Sequence, residues 1–368
     1  MIEEPAWDVA VVGGGPAGLA AARAAAVAGA RTIVLERAEH PRYKTCGGGL
    51  IGTSLTYARE YIDVPARDSI FALTFTRDGR RSFTRRATRS FLTLVRRDEF
   101  DHAWYQAAVA AGAVIRQNAQ VRAIDQGVVT LSGGEEITAR VIIGADGSAG
   151  ITSRYVGTTF EQQDLGLEVE LAATLADREV WKGRVLLDWG AFPGSYGWVF
   201  PKDDELTVGV IMSKGYGAAT KQYLTRFLTG QGLSDRPVLR DSGHLTRCRT
   251  PTSPLRRGQV VVAGDAAGLL EPWTREGISY ALRSGTWAGS TWQDLAEYER
   301  RVAAELAPEM AAGQRMLSAF SRYPGIIHLV MSTPLGWRAF EAFCRGDLSM
   351  ANVIKRPSIR ALLTVFRA

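Results

Sequence analysis

The chain has few cysteines and no long apolar segment. Its three cysteines, Cys46, Cys248 and Cys344, are too few and too widely spaced for a disulfide framework or a four-cysteine metal site. No segment approaches the ~18 consecutive apolar residues of a transmembrane helix. The first residues lack the basic start and apolar region of a secretory signal. We therefore expect a cytoplasmic protein without a metal site, whose contact with the inner face of a membrane, if any, is peripheral.

The chain also lacks a cluster of basic residues. Its formal net charge is +6, but the arginines are spread along the sequence and form no nucleic-acid-binding module. We expect no nucleic-acid partner, and the charge indicates either a solvated basic face or anionic partners such as phospholipid headgroups or a phosphorylated substrate. A length of 368 residues predicts about two domains, or one large α/β domain that carries an insertion.

The first forty residues have the pattern of a strand, a helix and a second strand. The apolar run from Trp7 to Val12 indicates a buried parallel strand, and an alanine-rich helix follows it through Ala30. The segment from Arg31 to Glu36 then predicts a second strand. The nucleotide-binding βαβ unit is therefore expected at the start of the chain.

A glycine motif connects this first strand to its helix. Gly13 allows a tight turn, Gly15 lets the backbone approach a pyrophosphate, and Gly18 lets the helix pack on the strand. The helix N-terminus supplies N–H groups to the phosphates. Glu36, at the end of the second strand, can accept hydrogen bonds from ribose hydroxyls. The order of these features indicates a dinucleotide site but does not separate FAD from NAD.

The rest of the chain alternates between two patterns. Short alternating segments predict an antiparallel hairpin with its turn at Asp78 and Gly79, and several further strands after residue 155 predict a second, largely antiparallel sheet that covers a substrate. From Trp292 onward the sequence is mostly helical. The predicted parts are residues 1–68, 95–154 and 255–291 for the nucleotide-binding domain, 69–94 and 155–254 for the substrate sheet, and 292–368 for a C-terminal helical region.

Two later glycine motifs favour FAD. Gly264 and Asp265 follow a strand and precede a helix, an order that suits an aspartate hydrogen-bonded to the ribityl chain, with the next helix N-terminus facing the flavin pyrimidine. Asp146, in the segment Gly144–Gly147 after another strand, either contacts the same cofactor or only shapes the site.

Four longer segments carry a family resemblance. They are HPRYKTCGGGL from His40, RRDEFD from Arg96, YGWVFP from Tyr196 and GDAAGLLEPWTREGISYAL from Gly264. With them the sequence resembles the FAD-dependent hydroxylase superfamily and, within it, the geranylgeranyl reductases, which saturate isoprenoid double bonds. The resemblance extends to about residue 290. It implies a p-hydroxybenzoate hydroxylase-like fold: a Rossmann-type α/β domain for FAD, an inserted antiparallel substrate sheet and a C-terminal helical region.

The resemblance also implies which residues surround the FAD. Gly47 and Gly49 allow the backbone to lie close to the ring, and Arg97 offers a fixed fork of donors to pyrophosphate or ribityl oxygens. The predicted cofactor set is Gly13, Gly15, Ala17, Gly18, Glu36, Arg37, Cys46, Gly47, Gly49, Arg97, Val121, Asp146, Asp265, Gly277 and Ile278.

Three residues are predicted to be catalytic: Cys46, Tyr196 and Trp198. Cys46 is either a small buried apolar residue or, beside Lys44, a thiol of lowered pKa next to the flavin. Tyr196, Trp198 and Phe200 alternate along a strand, so they face one side and form either an apolar wall for a prenyl chain or plain core.

The chain departs from the family pattern at two places. After the YGWVFP segment Gly209 is kept, but Ile211 replaces a second glycine. Before Gly277, bulky Trp273 and cationic Arg275 stand where the family has smaller residues. These two side chains could shorten the pocket or recognise a charged headgroup. Phe200, Trp273 and Arg275 are the predicted substrate residues.

The resemblance predicts a reductase that transfers a hydride from reduced flavin to a prenyl or terpenoid double bond. Cys46, Tyr196 or a water would give the proton, and NAD(P)H or another reductant, such as a ferredoxin, would reduce the FAD. The alternatives are an FAD monooxygenase of an aromatic or terpenoid substrate, a flavin halogenase, and a prenyl-chain carrier on the same fold.

The end of the chain admits two interpretations. From Tyr323 onward, apolar residues are interleaved with the cations Lys355, Arg356, Arg360 and Arg367. This segment either lies on an anionic membrane surface or forms a helical cap over the pocket.

Overall fold

The fold is that of a computed structural model, which describes residues 6–355 apart from the side chain of Ile354. The strands are β1 (Trp7–Val12), β2 (Thr32–Leu35), β3 (Gly49–Leu50), β4 (Ala66–Ile70), β5 (Ala72–Arg77), β6 (Arg80–Arg86), β7 (Leu92–Val95), β8 (Val114–Arg116), β9 (Val121–Asp125), β10 (Val128–Leu131), β11 (Glu136–Gly144), β12 (Phe160–Ala172), β13 (Arg184–Trp189), β14 (Tyr196–Lys202), β15 (Glu205–Ser213), β16 (Val238–Arg249), β17 (Arg256–Arg257) and β18 (Val260–Val262). The helices are α1 (Pro16–Val27), α2 (Ser54–Arg59), α3 (Arg97–Ala110), α4 (Ile151–Val156), α5 (Leu175–Trp181), α6 (Gly217–Gly230), α7 (Ile278–Ser290), α8 (Leu295–Arg301), α9 (Ala307–Arg322), α10 (Pro324–Ser332), α11 (Pro334–Arg345) and α12 (Met350–Ile354).

The first sheet brings the three glycine motifs together. Its strand order is β17-β18-β11-β1-β2-β8, with β1 parallel to both β2 and β11 and β11 parallel to β18. The register sets Val12 beside Gly144, and Gly144 beside Val262. Because parallel strands end at the same edge, the turns that follow them meet there. The predicted nucleotide-binding α/β fold is confirmed.

Close packing of α1 on α7 fixes two helix N-termini at this edge. A Cβ atom built on Gly285 would fall 2.1 Å from the carbonyl oxygen of Ala17, and one built on Gly289 would fall 2.1 Å from that of Ala21. The alanine-rich face of α1 and the glycines of α7 therefore let the two backbones touch. This contact sets the start of α7 beside the start of α1.

A second, seven-stranded sheet lies within residues 72–249, in the order β16-β12-β15-β14-β13-β5-β6. The β5-β6 hairpin joins it through a parallel pairing of β5 with β13, and its other pairings are antiparallel. A separate three-stranded sheet has the order β3-β7-β4. The predicted largely antiparallel second sheet is therefore confirmed.

Several elements differ from the sequence prediction. The two strands predicted between Glu136 and Ile143 are one continuous strand, β11, and β14 continues past Pro201 to Lys202. Helices α5 and α6 and strand β16 were not predicted. Strand β16 escaped prediction because it forms an edge of the sheet and carries mostly polar side chains, so no apolar alternation reveals it.

The C-terminal helices cap the second sheet. Trp337, Phe340 and Cys344 on α11 are buried in one cluster with Phe75 and Trp189 of that sheet. The predicted helical cap is thus present as far as residue 355, whereas Arg356, Arg360 and Arg367 lie outside the described residues. No helix within residues 6–355 is long and apolar enough to cross a membrane.

Candidate active site

One continuous cavity of about 940 Å³ runs between the two larger sheets. Its lining includes Glu36 and Arg37 at the part that we call the dinucleotide end, the Gly47–Gly49 segment, and a group of aromatic side chains with Phe91 and Phe340 that we call the chamber. Every predicted site residue lines this cavity except Gly18. Gly18 instead allows the tight helix start, since a Cβ there would fall 1.8 Å from the carbonyl oxygen of Gly13.

The dinucleotide end is shaped by backbone groups. Gly13 has a φ of +102°, and a Cβ there would fall 2.4 Å from the carbonyl oxygen of Ala145. The Glu36 carboxylate accepts hydrogen bonds from the N–H groups of Gly14 at 2.6 Å and Ala38 at 2.9 Å. These bonds hold the carboxylate at the cavity wall, where a ribose can reach it.

The donor groups of this region fit FAD. The N-caps of α1 and α7, Gly15 and Gly277, both line the cavity. At α7 the Glu276 carboxylate accepts a hydrogen bond from the N–H of Ser279 at 2.7 Å. Both helices direct their positive dipole ends at the cavity, which suits a pyrophosphate and a flavin pyrimidine.

Asp265 is an ionised carboxylate between these two helices. Burial alone would raise its pKa, but His244, Lys44 and Arg97 more than offset that effect, so the pKa of Asp265 lies below its ordinary value. The Asp265 carboxylate is 3.6 Å from Nε2 of His244. A partly exposed, ionised acceptor at this point suits the hydroxyls of a ribityl chain.

Arg97 has a partner that the sequence analysis missed. Its Nε and Nη2 both donate to the Asp101 carboxylate at 2.9 Å, and Arg42 approaches the same carboxylate at 3.4 Å. The side chain of Asp101 is fully buried. The spacing of four residues along a helix could have revealed the pair. It fixes the guanidinium beside Cys46, with other donors still directed at the cavity.

Cys46 lies half-buried on a loop held from several sides. Its N–H donates to Oε1 of Glu168 at 3.1 Å, and the N–H of Gly48 donates to its Sγ at 3.4 Å. Nearby, Nζ of Lys44 is 3.1 Å from Nδ1 of His244. Glu168 and His244 come from β12 and β16, and no short motif marks either of them. Only the pairing of distant strands brings them to the loop.

Three aromatic residues of β14 form one wall of the inner chamber. The ring centroids of Tyr196 and Trp198 are 5.9 Å apart, and those of Trp198 and Phe200 are 6.3 Å apart. Ile211 pairs with Tyr196 across β15 and also lines the cavity. The predicted common orientation of the three aromatics is confirmed, because all three line the cavity.

The far end of the chamber is filled by the segment before α7. Trp273 is buried, and its ring stacks on that of Trp189 with centroids 6.4 Å apart. Nε of Arg275 forms a buried ion pair with the Asp164 carboxylate at 3.1 Å. The Tyr196 hydroxyl donates to the carbonyl oxygen of Thr274, and burial raises the pKa of Tyr196 well above its ordinary value. This hydroxyl therefore keeps its proton.

Comparisons with known proteins identify the family of the chain. A family profile described as an FAD binding domain matches residues 6–290. The chain is 30% identical over 307 residues to a geranylgeranyl diphosphate reductase of Rhodobacter capsulatus, and the alignment covers 77% of this chain and 74% of the relative. It is also 30% identical over 307 residues to digeranylgeranylglycerophospholipid reductase 1 of Methanopyrus kandleri, and this alignment covers 77% of this chain and 79% of the relative.

A solved structure shares the whole fold. The crystal structure of a geranylgeranyl bacteriochlorophyll reductase-like protein from Thermoplasma acidophilum matches with a TM-score of 0.78 at 21% identity, over 98% of each chain. The chain therefore belongs to the FAD binding domain family and, within it, to the geranylgeranyl reductases.

Proposed function

We propose that this protein is an FAD-dependent reductase that saturates carbon–carbon double bonds of a prenyl chain. The observation that carries the proposal is a cavity that is lined both by the dinucleotide-binding segments and by a group of aromatic and aliphatic side chains. Saturation of an isolated alkene requires such an arrangement, because the chain edge must be held against the ring while water is excluded.

The proposed cofactor contacts follow the cavity from one end to the other. The N-terminus of α1, with Gly13, Gly15 and Ala17, would hold the pyrophosphate, while Glu36 and Arg37 would contact the adenosine. Asp265 and Arg97 would hold the ribityl region, with the remaining predicted contacts made by Cys46, Gly47, Gly49, Val121, Asp146, Gly277 and Ile278. Reduced FAD, when bound, supplies the hydride that one carbon of the double bond receives. NAD(P)H or another reductant is the proposed electron source.

Asp146 has the weakest claim to a direct cofactor contact. Its carboxylate accepts hydrogen bonds from the N–H and the hydroxyl of Thr152 at the start of α4. Both oxygens are therefore engaged with the protein. We propose that Asp146 shapes the turn beside the cofactor.

Cys46 is the proposed proton donor to the second alkene carbon. Its thiol lies at the junction between the dinucleotide end and the chamber, whereas the proton of Tyr196 is engaged with Thr274. Tyr196, Trp198 and Phe200 would then orient the prenyl chain along the wall. This division favours Cys46 over Tyr196 among the predicted donors.

Trp273, Arg275 and Ile211 are proposed to limit the length of the chamber. The charge of Arg275 is already paired with Asp164, so the guanidinium is a poor partner for a substrate headgroup. The two relatives carry names that include geranylgeranyl diphosphate and digeranylgeranylglycerophospholipid. We propose the same class of substrate, a prenyl chain attached to a phosphate or a lipid.

A peripheral membrane contact would give such a lipid access to the cavity. Leu329 of α10 and Leu335 of α11 are 65% and 79% exposed, with Ile326 and Val330 beside Leu329 on α10. Exposed Arg322 and Arg338 flank them. We propose that this apolar and basic surface, the α10–α11 surface, lies on an anionic membrane.

The test is a product analysis under argon. The FAD-loaded protein is incubated with geranylgeranyl diphosphate and a low-potential reductant, and the product is measured by mass spectrometry. The proposal predicts a gain of two hydrogens for each reduced bond. A product that forms only after oxygen is admitted and has gained one oxygen atom would instead establish a monooxygenase.

A further inference from the structure

Glu168 is a buried carboxyl group directly beneath the Cys46 loop. It lies on β12, is 2% exposed and lines the cavity. In the strand register, Glu168 pairs with Gly209, and Gly209 pairs with Trp198. Glu168 and Trp198 thus belong to one row across the sheet, on the face that the cavity shares.

The loop above this row is held by hydrogen bonds at several points. Gly48 has a φ of +72°, and its carbonyl oxygen accepts a hydrogen bond from the N–H of Val95 at 2.9 Å. At Cys46 the N–H donates to Oε1 of Glu168 at 3.1 Å, and Sγ accepts from the N–H of Gly48 at 3.4 Å. A glycine-rich turn is flexible unless it is held at such points. Glu168 supplies the hydrogen bond to the backbone of Cys46 itself.

The groups around Glu168 keep its proton exchangeable near neutrality. Burial raises the pKa of Glu168 to about 7, while Lys202 and Lys44 act in the opposite direction. Lys202, on β14, is also 2% exposed. Glu170, two residues along β12, and Tyr43, in the loop, are further titratable groups that interact with this carboxyl.

We propose that Glu168 is the positioning residue that fixes where the Cys46 thiol enters the cavity. Loss or gain of the Glu168 proton changes the strength of its hydrogen bond to the Cys46 N–H. An ionised carboxylate accepts the Cys46 N–H more strongly than a neutral carboxyl does. Glu168 therefore acts through the loop, without contacting the reacting carbons. The inference rests on the proposed role of Cys46 in alkene reduction.

The test compares two substitutions of similar size in the full-length, FAD-loaded protein. Glu168→Gln keeps an acceptor for the Cys46 N–H but cannot ionise. Glu168→Met removes the acceptor and leaves an apolar side chain of similar size, and proteins often tolerate such a replacement of a buried charged group. Glu170→Met is the matched control, because it removes a carboxylate from the same strand that makes no hydrogen bond to the loop.

The first readout is the rate at which iodoacetamide alkylates Cys46, which does not depend on the identity of the substrate. Cys248 and Cys344 are buried, and a Cys46→Ala variant gives their background. We expect Glu168→Met to change the rate about tenfold, as loss of a hydrogen bond to a charged acceptor implies. Glu168→Gln and Glu170→Met should stay within about twofold of the wild-type rate.

The second readout is the pH dependence of prenyl reduction. The wild-type kcat should show an inflection near pH 7 that Glu168→Gln removes, an effect that a purely structural role would not produce. Glu168→Met with unchanged alkylation would overturn the inference. If Glu168→Met fails to fold, identical pH profiles for wild type and Glu168→Gln overturn it instead. If alkylation changes as expected but no variant reduces a prenyl chain, the proposed function fails while the positioning role of Glu168 stands.

Discussion

The indole ring of Trp198 packs directly against the backbone of Gly209. A Cβ atom built on Gly209 would fall 2.1 Å from Cζ2 of Trp198, a separation that real Cβ atoms do not show. The glycine kept after the YGWVFP segment is therefore explained by contact with the tryptophan of that same segment. One wall of the chamber depends on this pair.

Replacement of Gly209 by alanine should displace this indole. We expect Gly209→Ala to lower the free energy of unfolding by about 1–3 kcal/mol, as overpacking of a core does, and to lower prenyl reduction at least tenfold. Urea unfolding and steady-state kinetics measure the two effects. Gly215→Ala, where a Cβ would meet nothing within 4 Å, is the control and should change neither.

The ion pair of Arg275 with Asp164 gives a prediction about substrate length. Arg275 has a φ of +58°, which glycine adopts without strain, but Arg275→Gly alone would leave Asp164 buried without its cation. That loss should cost about 3 kcal/mol of unfolding free energy. The double variant Asp164→Asn, Arg275→Gly should recover most of it while leaving the chamber larger.

Chain-length preference shows whether this larger chamber matters. For the double variant, the ratio of kcat/KM for geranylgeranyl diphosphate to that for farnesyl diphosphate should rise about tenfold, the scale on which added room in an apolar pocket acts. An unchanged ratio in a folded variant would show that Arg275 does not limit the substrate.

Membrane contact through the α10–α11 surface can be tested with paired leucine substitutions. The variant Leu329→Glu, Leu335→Glu should lose most of its binding to vesicles of anionic phospholipid, because it removes apolar surface and adds repelling charge. Co-sedimentation measures the bound fraction. Leu175→Glu, on α5 and 78% exposed, adds a charge on another helix and should bind as wild type does. Equal binding by all three proteins would exclude this surface.

The contribution of two glutamates to the stability of the protein should fall as pH rises through neutrality. Burial raises the pKa of Glu168 and of Glu276 to about 7, above the ordinary glutamate value of 4.5. The folded state therefore binds each of these protons more tightly than the unfolded state does. The contribution of each group to the free energy of unfolding is full below pH 4.5 and is lost as pH rises through 7. Each group should lower the unfolding free energy by about 1 kcal/mol between pH 6 and pH 8.

Denaturant titrations at pH 6 and pH 8 separate the two groups. Glu168→Gln should remove about half of the pH effect, while Glu170→Gln should leave most of it in place. The same pH dependence of stability in wild type and Glu168→Gln would contradict the assignment of a buried, protonated carboxyl at Glu168.

Local sequence patterns indicate the dinucleotide end because its residues stand close together along the chain. Gly13, Gly15 and Glu36 stand at fixed offsets in one strand, turn and helix, and β14 is short enough for alternation to orient Tyr196, Trp198 and Phe200 correctly. The convergence of three glycine motifs at one sheet edge follows from the parallel pairing of their strands.

The missed residues share a different origin. Glu168 and His244 reach the Cys46 loop from strands more than 120 residues further along the chain, through the pairing of β12 with β15 and β16. Nothing local in a sequence sets such a register, since it depends on which distant strands pair. Strand β16 is polar and lies at an edge of the sheet, so its sequence pattern does not indicate that it supplies His244 to the Cys46 loop.

The most direct test of the account is a single turnover without oxygen. The FAD-loaded protein is reduced under argon and mixed with a stoichiometric amount of geranylgeranyl diphosphate, while the flavin absorbance near 450 nm is followed. The account predicts that the oxidised spectrum returns in step with a product heavier by two hydrogens, and that Cys46→Ala slows this return strongly. A flavin that stays reduced with every prenyl substrate until oxygen is admitted would contradict it.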